Sequence, residues 1–135
     1  MIYEANYKRL KKLIPDLDTL TVETHRKSKS GGFMDLSFEV LSRTTDQFTG
    51  ALAHYFEQNG DLVADPDMEI RVVPSMRMIE ALTYQDQFGY RVVYPEAGKV
   101  NLQAKEELNQ FLGKWLKNLI AQGHKLSPGI QEEGG

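Results

Sequence analysis

The sequence contains no cysteine, and this absence excludes several kinds of site. A chain without thiols forms no disulfide framework, offers no thiolate nucleophile and cannot hold zinc or an iron–sulfur cluster through sulfur. The sequence also lacks a run of the ~20 apolar residues that a membrane-spanning helix needs. Residues 1–12 lack the apolar segment of a signal peptide. Together these absences predict a cytoplasmic protein without a membrane partner.

The common motifs of nucleotide-binding and hydrolase sites are absent as well. The glycine pairs match neither a phosphate-binding loop nor a dinucleotide fingerprint, and there is no G-x-S-x-G nucleophile elbow. The three histidines, His25, His54 and His124, fall at no spacing typical of metal ligands. The sequence therefore predicts no catalytic residue, no cofactor and no metal site.

Length and composition indicate one globular domain with its own core. The chain has 135 residues, of which 41% are hydrophobic and 26% are charged. Its 16 basic and 19 acidic residues give a formal charge of -3, which argues against a general nucleic-acid binder. We expect a single α+β domain over residues 1–126 and a disordered tail over residues 127–135, where the sequence becomes polar and glycine-rich.

Two segments have the apolar periodicity of helices. The first covers Ile2 to Ile14 and ends before Pro15, which cannot continue a helix. The second is long, with Asn101 as its predicted N-cap and Gly123 just past its end. Its apolar stripe consists of Leu108, Phe111, Leu112, Trp115, Leu116, Leu119 and Ile120.

The residues between these helices alternate as strands do. Gly50 is predicted to mark a bulge or bend, and Asn59-Gly60 to form a tight turn. The predicted strands cover residues 19–27, 33–42, 47–58, 68–73, 76–84 and 88–94.

These elements predict an α+β fold. Short connections between successive strands require antiparallel pairing, and an antiparallel sheet can be apolar on one face. We therefore expect a curved antiparallel sheet of five or six strands, with the N-terminal and C-terminal helices packed on one face. Trp115 is expected in the core.

One pair of charged residues stands out in the strand region. If Pro74-Ser75 is a two-residue hairpin loop, Glu69 lies opposite Glu80, and Arg71 is the diagonal neighbour of Glu80. Facing glutamates repel each other, so an arginine between them stabilises the sheet. The same residues can also hold a ligand or perform acid–base chemistry. Glu69, Arg71 and Glu80 are thus candidates for a structural ion pair or for a ligand-binding site.

The N-terminal third is basic and contains two tyrosines that could stack on bases. The basic side chains that define this candidate nucleic-acid surface are Lys8, Arg9, Lys11, Lys12 and Arg26. The pattern is more typical of a solvated helix face, with the tyrosines in the core. We therefore regard nucleic acid as an unlikely partner of this acidic chain.

Three separated segments resemble a known family. In order they are Tyr3-Glu4-Ala5-Asn6-Tyr7 with Leu10, Leu13 and Pro15; Asp65-Pro66-Asp67-Met68-Glu69-Ile70-Arg71 with Glu80-Ala81 and Tyr84-Gln85-Asp86; and Leu108-Asn109-Gln110-Phe111-Leu112 with Trp115-Leu116 and Gln122-Gly123-His124. Together they resemble the YqiB-like family of bacterial proteins, domain of unknown function 1249. The resemblance implies a small cytoplasmic protein without assigned activity, and it assigns no functional residue.

Three functional hypotheses follow. The first is a small non-enzymatic binding or interaction protein of accessory or regulatory type, acting on a protein partner as a monomer or homodimer. The alternative is a ligand-binding domain or enzyme that uses the open sheet face around Arg71 and Glu80. The third is nucleic-acid binding through the basic N-terminal third.

Overall fold

The computed structural model describes residues 1–128, apart from the side chain of Ala64, and it has a seven-stranded sheet with one helix before the strands in sequence and one after them. The predicted α+β class and its antiparallel pairing are confirmed. Within residues 1–128, no helix is long and apolar enough to cross a membrane. The helices are α1 (Ile2–Leu13) and α2 (Leu102–Ala121), and the strands are β1 (His25–Ser28), β2 (Asp35–Arg43), β3 (Phe48–Gln58), β4 (Asp61–Val73), β5 (Met78–Ala81), β6 (Thr83–Asp86) and β7 (Gly89–Val92). Residues 129–135, most of the predicted tail, lie outside the described residues.

The strand order is β1-β2-β3-β4-β6-β7, with β5 paired to β4 beside β6. The sheet has seven strands rather than five or six because the segment predicted as one strand, residues 76–84, divides at Leu82. The Leu82 N–H still donates to the Glu69 carbonyl at 2.8 Å, so the chain follows β4 across the division. At Asn59 and Gly60 both φ values are positive, as the predicted tight turn between β3 and β4 requires.

Both helix ends of α2 follow the sequence signals. The Asn101 side chain accepts a hydrogen bond from the Ala104 N–H at 3.0 Å, which satisfies one of the free N–H groups at the helix start. Gly123 adopts φ +86°, and the N–H of His124 reaches back to the Leu119 carbonyl at 3.2 Å. Glycine can end a helix in this left-handed conformation without a steric penalty, because it has no Cβ.

The core lies between the sheet and the two helices. Alternate residues of the central strands are buried, and they form one cluster with the apolar faces of α1 and α2. Trp115 is 6% exposed and belongs to this cluster, as predicted. The strand residues facing the helices include Leu36, Phe38, Val40, Phe48, Leu52, Met68, Ile70, Val72, Ile79 and Ala81, each at most 2% exposed.

The strand predicted over residues 19–27 is wrong in its first half. Leu17–Thr19 forms a 3₁₀ turn, and β1 begins only at His25. Leu17 and Leu20 are both buried, and the turn allows two side chains three residues apart to reach the core. Arg43 donates to the Leu20 carbonyl at 2.8 Å. The Arg43 side chain, rather than a neighbouring strand, thus satisfies this carbonyl.

Gly50 is not itself the predicted bulge. The register shift lies opposite it in β2, between Val40 and Ser42. The ring of Phe38 occupies the space beside Gly50, and a Cβ at position 50 would lie 2.8 Å from Phe38 Cε1. Glycine is therefore required at position 50, because the Phe38 ring occupies the space that a larger side chain would need.

Gly50→Ala is expected to destabilise the fold by about 1–3 kcal/mol, because the added methyl group overpacks the core. Urea unfolding monitored by Trp115 fluorescence measures the change. Gly89→Ala in β7 is the matched control, since a Cβ there meets nothing within 4 Å. Equal stabilities of the two variants would contradict the packing argument.

Candidate functional site

The connection between β4 and β5 sets the register of the predicted charged pair. It is a 3₁₀ turn, Pro74–Met76, followed by Arg77 in the left-handed region. The prediction of a two-residue loop is therefore wrong, and the register moves by two residues. Arg71 lies directly opposite Glu80, whereas the N–H of Glu69 donates to Thr83 Oγ1 at 3.2 Å.

Glu80 is the centre of a charged cluster at this edge of the sheet. Its carboxylate lies 3.3 Å from Arg71 Nη1 and 3.2 Å from Lys105 Nζ, and it accepts a hydrogen bond from the Tyr94 hydroxyl. Lys105 also donates to the Tyr94 oxygen at 3.1 Å. We call Arg71, Glu80, Tyr94 and Lys105 the Glu80 cluster. It combines two cations with one carboxylate.

Asn109 places Lys105 beside Glu80. Its side-chain oxygen accepts the buried N–H of Ala81 at 2.9 Å, and its amide nitrogen donates to the Lys105 carbonyl one helical turn earlier at 2.7 Å. The Asn109 carbonyl in turn accepts from Asn6 Nδ2 of α1 at 3.0 Å. Helix α2 is thus fixed to both β5 and α1 at the point where Lys105 leaves it.

The Glu80 cluster borders a cavity of about 280 Å³, which we call the edge cavity. The side chains of Arg71 and Lys105 are 32% and 31% exposed, whereas that of Glu80 is 17% exposed. The two cations are therefore more accessible than the carboxylate between them. Among the described residues, the lining consists of Tyr3, Gln47, Arg71, Val73, Met76, Met78, Ile79, Glu80 and Lys105.

Aromatic faces support the two cations. The Arg71 guanidinium lies 5.6 Å from the centre of the Tyr94 ring, and Lys105 Nζ lies 5.8 Å from that of Tyr3. The hydrogen bond to Tyr94, together with Glu80, raises the pKa of Lys105. Lys105 therefore stays an ammonium group at neutral pH, and it cannot serve as a nucleophile or general base there. The arrangement suits recognition of a negative group better than proton transfer.

Glu69, the third predicted residue of this site, does not line the edge cavity. It lies on the open sheet face with Asp67 and Glu39. Burial, followed by the charges of Glu69 and Glu39, raises the pKa of Asp67. In the described part of the chain, no group of three or more His, Asp or Glu side chains is arranged to hold a metal ion.

Four of the five predicted nucleic-acid residues lie on α1, whereas the fifth, Arg26, is buried. The Arg26 side chain is 9% exposed and makes two hydrogen bonds to the Asp16 carboxylate, at 2.6 and 2.7 Å. Lys11 pairs with Asp18 at 3.0 Å, and Arg9 donates to Asn6 Oδ1 at 2.7 Å. Lys8 and Lys12 are exposed on α1. Arg26 is thus withdrawn from the basic surface that the sequence suggested.

Two of the three histidines meet inside the protein, which the sequence reasoning did not foresee. The ring centres of His54 and His124 are 6.0 Å apart, and Trp115 contacts His54 at 5.4 Å. Nδ1 of His124 hydrogen-bonds the Ser28 hydroxyl at 2.9 Å. Burial, followed by the proximity of His54, lowers the pKa of His124. His25 is exposed and takes no part.

The buried His124 predicts a loss of stability in mild acid. Because its folded pKa is below the unfolded value of about 6.5, the unfolded chain takes up the proton first as pH falls. The stability that depends on a neutral His124 is fully present above about pH 6.5 and decreases below it. The urea midpoint should therefore be lower at pH 5 than at pH 7. His124→Asn should flatten this difference, while His25→Asn should leave it unchanged. An identical pH dependence in all three proteins would contradict the assignment.

One family model matches the chain. It covers residues 6–125 and is described as a domain of unknown function, DUF6908. No curated protein and no solved structure matches. The expectation of a domain without assigned function is therefore confirmed, but the matching model is not that of the YqiB-like family. Since the match covers most of its length, the chain belongs to the DUF6908 family.

Proposed function

We propose that this protein is a ligand-binding domain and that the edge cavity is its binding site. The supporting observation is the Glu80 cluster, in which two accessible cations border a cavity with otherwise largely apolar walls. A few convergent polar groups in an apolar concavity are typical of small-molecule sites. The proposal corresponds to the second of the three functional hypotheses drawn from the sequence.

The cluster favours binding over catalysis. A general base needs a free acceptor within reach of its substrate, whereas the Glu80 carboxylate is engaged by Arg71, Tyr94 and Lys105. The raised pKa of Lys105 keeps its amine protonated. The Glu80 carboxylate and the Lys105 ammonium therefore hold each other in place. This arrangement fits an accessory or regulatory domain that senses a ligand without transforming it.

The walls and size of the cavity point to a small ligand. Met76 on the 3₁₀ turn is exposed, and Met78 beside it is half-buried. Methionine side chains adapt to the shape of what they contact. At about 280 Å³, the cavity is near the lower end of the roughly 300–1,000 Å³ typical of ligand pockets. It suits a metabolite of a few carbon atoms.

The cavity should bind at least one of three six-carbon probes, namely hexanoate, 1-hexanol and hexylamine, in the millimolar range. Met76→Trp places a large ring at the cavity wall, so it should weaken that binding at least tenfold, measured by ¹⁵N chemical-shift titration. The control is Leu41→Trp, at a comparably exposed position outside the cavity lining. The proposal fails if no probe binds, or if the residues whose chemical shifts change lie outside the cavity.

A second candidate is self-association through β7, in keeping with the expected interaction protein. This strand ends the sheet order, and no described strand pairs with its outer edge. Phe88 is 93% exposed and Tyr90 is 59% exposed on the same hairpin. An exposed edge strand with large apolar side chains readily pairs with a second copy. We therefore also infer that two chains associate edge to edge to form a homodimer.

Phe88→Ser should weaken this dimer at least tenfold while leaving the thermal midpoint of unfolding unchanged, because the Phe88 side chain is 93% exposed in the described part of the chain. Sedimentation velocity over a range of protein concentrations measures the association. Leu102→Ser, at another exposed apolar position, is the control. A wild-type protein that stays monomeric at high concentration contradicts the inference.

A cytoplasmic location and kinship with the YqiB-like proteins belong with these proposals. The absence of cysteine supports the first, because cysteine-free chains suit a reducing compartment. The three ordered sequence segments support the second.

A further inference from the structure

The geometry of the Glu80 cluster points to a class of ligand, and this inference rests on the proposed function of the edge cavity. We propose that the ligand is an organic monoanion: a carboxylate bound by Arg71 and Lys105, with a small apolar body lying against Met76, Met78 and Val73.

The charge of the lining selects the charge of the ligand. Arg71 and Lys105 are cationic and Glu80 is anionic, and these are the charged residues of the lining, which leaves a formal charge of +1. A monoanion neutralises this charge. A dianion brings an excess negative charge towards Glu80, and a neutral molecule leaves one cation of the partly buried cluster uncompensated.

The free donors of the cluster suit a carboxylate. A guanidinium carries five N–H donors, and the hydrogen bond that Arg71 makes within the described residues is the one to Glu80. Its Nε is buried without a hydrogen-bond partner there. Lys105 uses two of its three donors, on Tyr94 and Glu80. The planar fork of an arginine matches the two oxygens of a carboxylate better than any other charged side chain does.

Glu80 acts as a positioning residue. It contacts both cations, and the Tyr94 hydroxyl that also bonds it receives a hydrogen bond from Lys105. Glu80 therefore fixes the distance between the two positive groups, and its negative charge lowers the formal charge of the lining from +2 to +1. Removal of its charge while its shape is kept, as in Glu80→Gln, turns a lining of +1 into one of +2.

The test compares four probes of six carbon atoms on the full chain by isothermal titration calorimetry: hexanoate, adipate, 1-hexanol and hexylamine. The wild-type protein should bind hexanoate at least tenfold more tightly than the other three. Arg71→Gln should weaken hexanoate binding at least tenfold, and Arg71→Lys should weaken it less because the charge remains. Glu80→Gln should increase the affinity for adipate at least tenfold relative to the affinity for hexanoate.

The control is Arg91→Gln, which breaks another arginine–glutamate pair, Arg91 with Glu107 at 2.8 Å, away from the edge cavity. It should leave hexanoate binding unchanged. Circular dichroism on each variant checks that the fold is retained, and the charge-retaining Arg71→Lys serves if Arg71→Gln does not fold.

The outcomes separate the two proposals. Binding of 1-hexanol or hexylamine as tight as that of hexanoate overturns the monoanion and leaves the ligand-binding function in place. Unchanged preference for hexanoate over adipate in Glu80→Gln overturns the selecting role of Glu80. Failure of all four probes on the wild-type protein overturns the ligand-binding function itself.

Discussion

The hydrogen bond from the Ala81 N–H to the side chain of Asn109 is the constraint on which the site depends. Ala81 ends β5, and its N–H is buried at a place where none of the described strands accepts its hydrogen bond. A buried N–H without a partner costs about 1–3 kcal/mol, so the fold has to bring an acceptor to this position. Helix α2 provides it through Asn109, and this contact fixes how α2 is rotated about its own axis. Lys105, one turn earlier, then necessarily lies beside Glu80.

Buried polar contacts hold the other end of the helix layer in a comparable way. After α2 the chain returns to α1, where the Leu126 N–H donates to the Leu13 carbonyl at 2.8 Å. Arg26 joins Asp16 to the Leu126 carbonyl, and the Ser28 hydroxyl and His124 Nδ1 are hydrogen-bonded at 2.9 Å. The segment after α2 is therefore tied both to β1 and to α1. Both ends of the helix layer are thus joined to the sheet by hydrogen bonds, through Asn109 to β5 and through His124 to β1.

Local signals in the sequence were sufficient for the helices and for most strands. The apolar stripe of α2, the Asn101 cap and Gly123 each act within a few residues, and all three proved correct. The register of β4 and β5 was not predictable in the same way. Pro74-Ser75 indicated a short loop, and nothing in an arginine at position 77 signals the left-handed conformation that lengthens the turn. Arg71 and Glu80 were identified as a pair, but their exact opposition was missed.

Tyr94 and Lys105 were not foreseen as site residues because their contacts join parts of the chain far apart in sequence. A weak signal existed: Lys105 and Asn109 are polar residues one turn apart, and Asn109 directly follows Leu108 of the apolar stripe. The same separation explains the meeting of His54 with His124, which depends on how the segment after α2 folds back. Long-range pairings of this kind follow from the packing of whole elements, which local patterns do not specify.

The two helices cross at Gly113, where a Cβ would lie 2.9 Å from Asn6 Oδ1 of α1. Tyr3 on α1 and Lys105 on α2 are neighbours in the lining of the edge cavity, so the spacing of the two helices also bears on its shape. A position without a side chain, two turns away from Lys105, thus allows the close approach of the two helices beside the cavity. A side chain at position 113 would have to separate α1 from α2 at their crossing, and it would thereby alter the edge cavity while every lining residue stays the same.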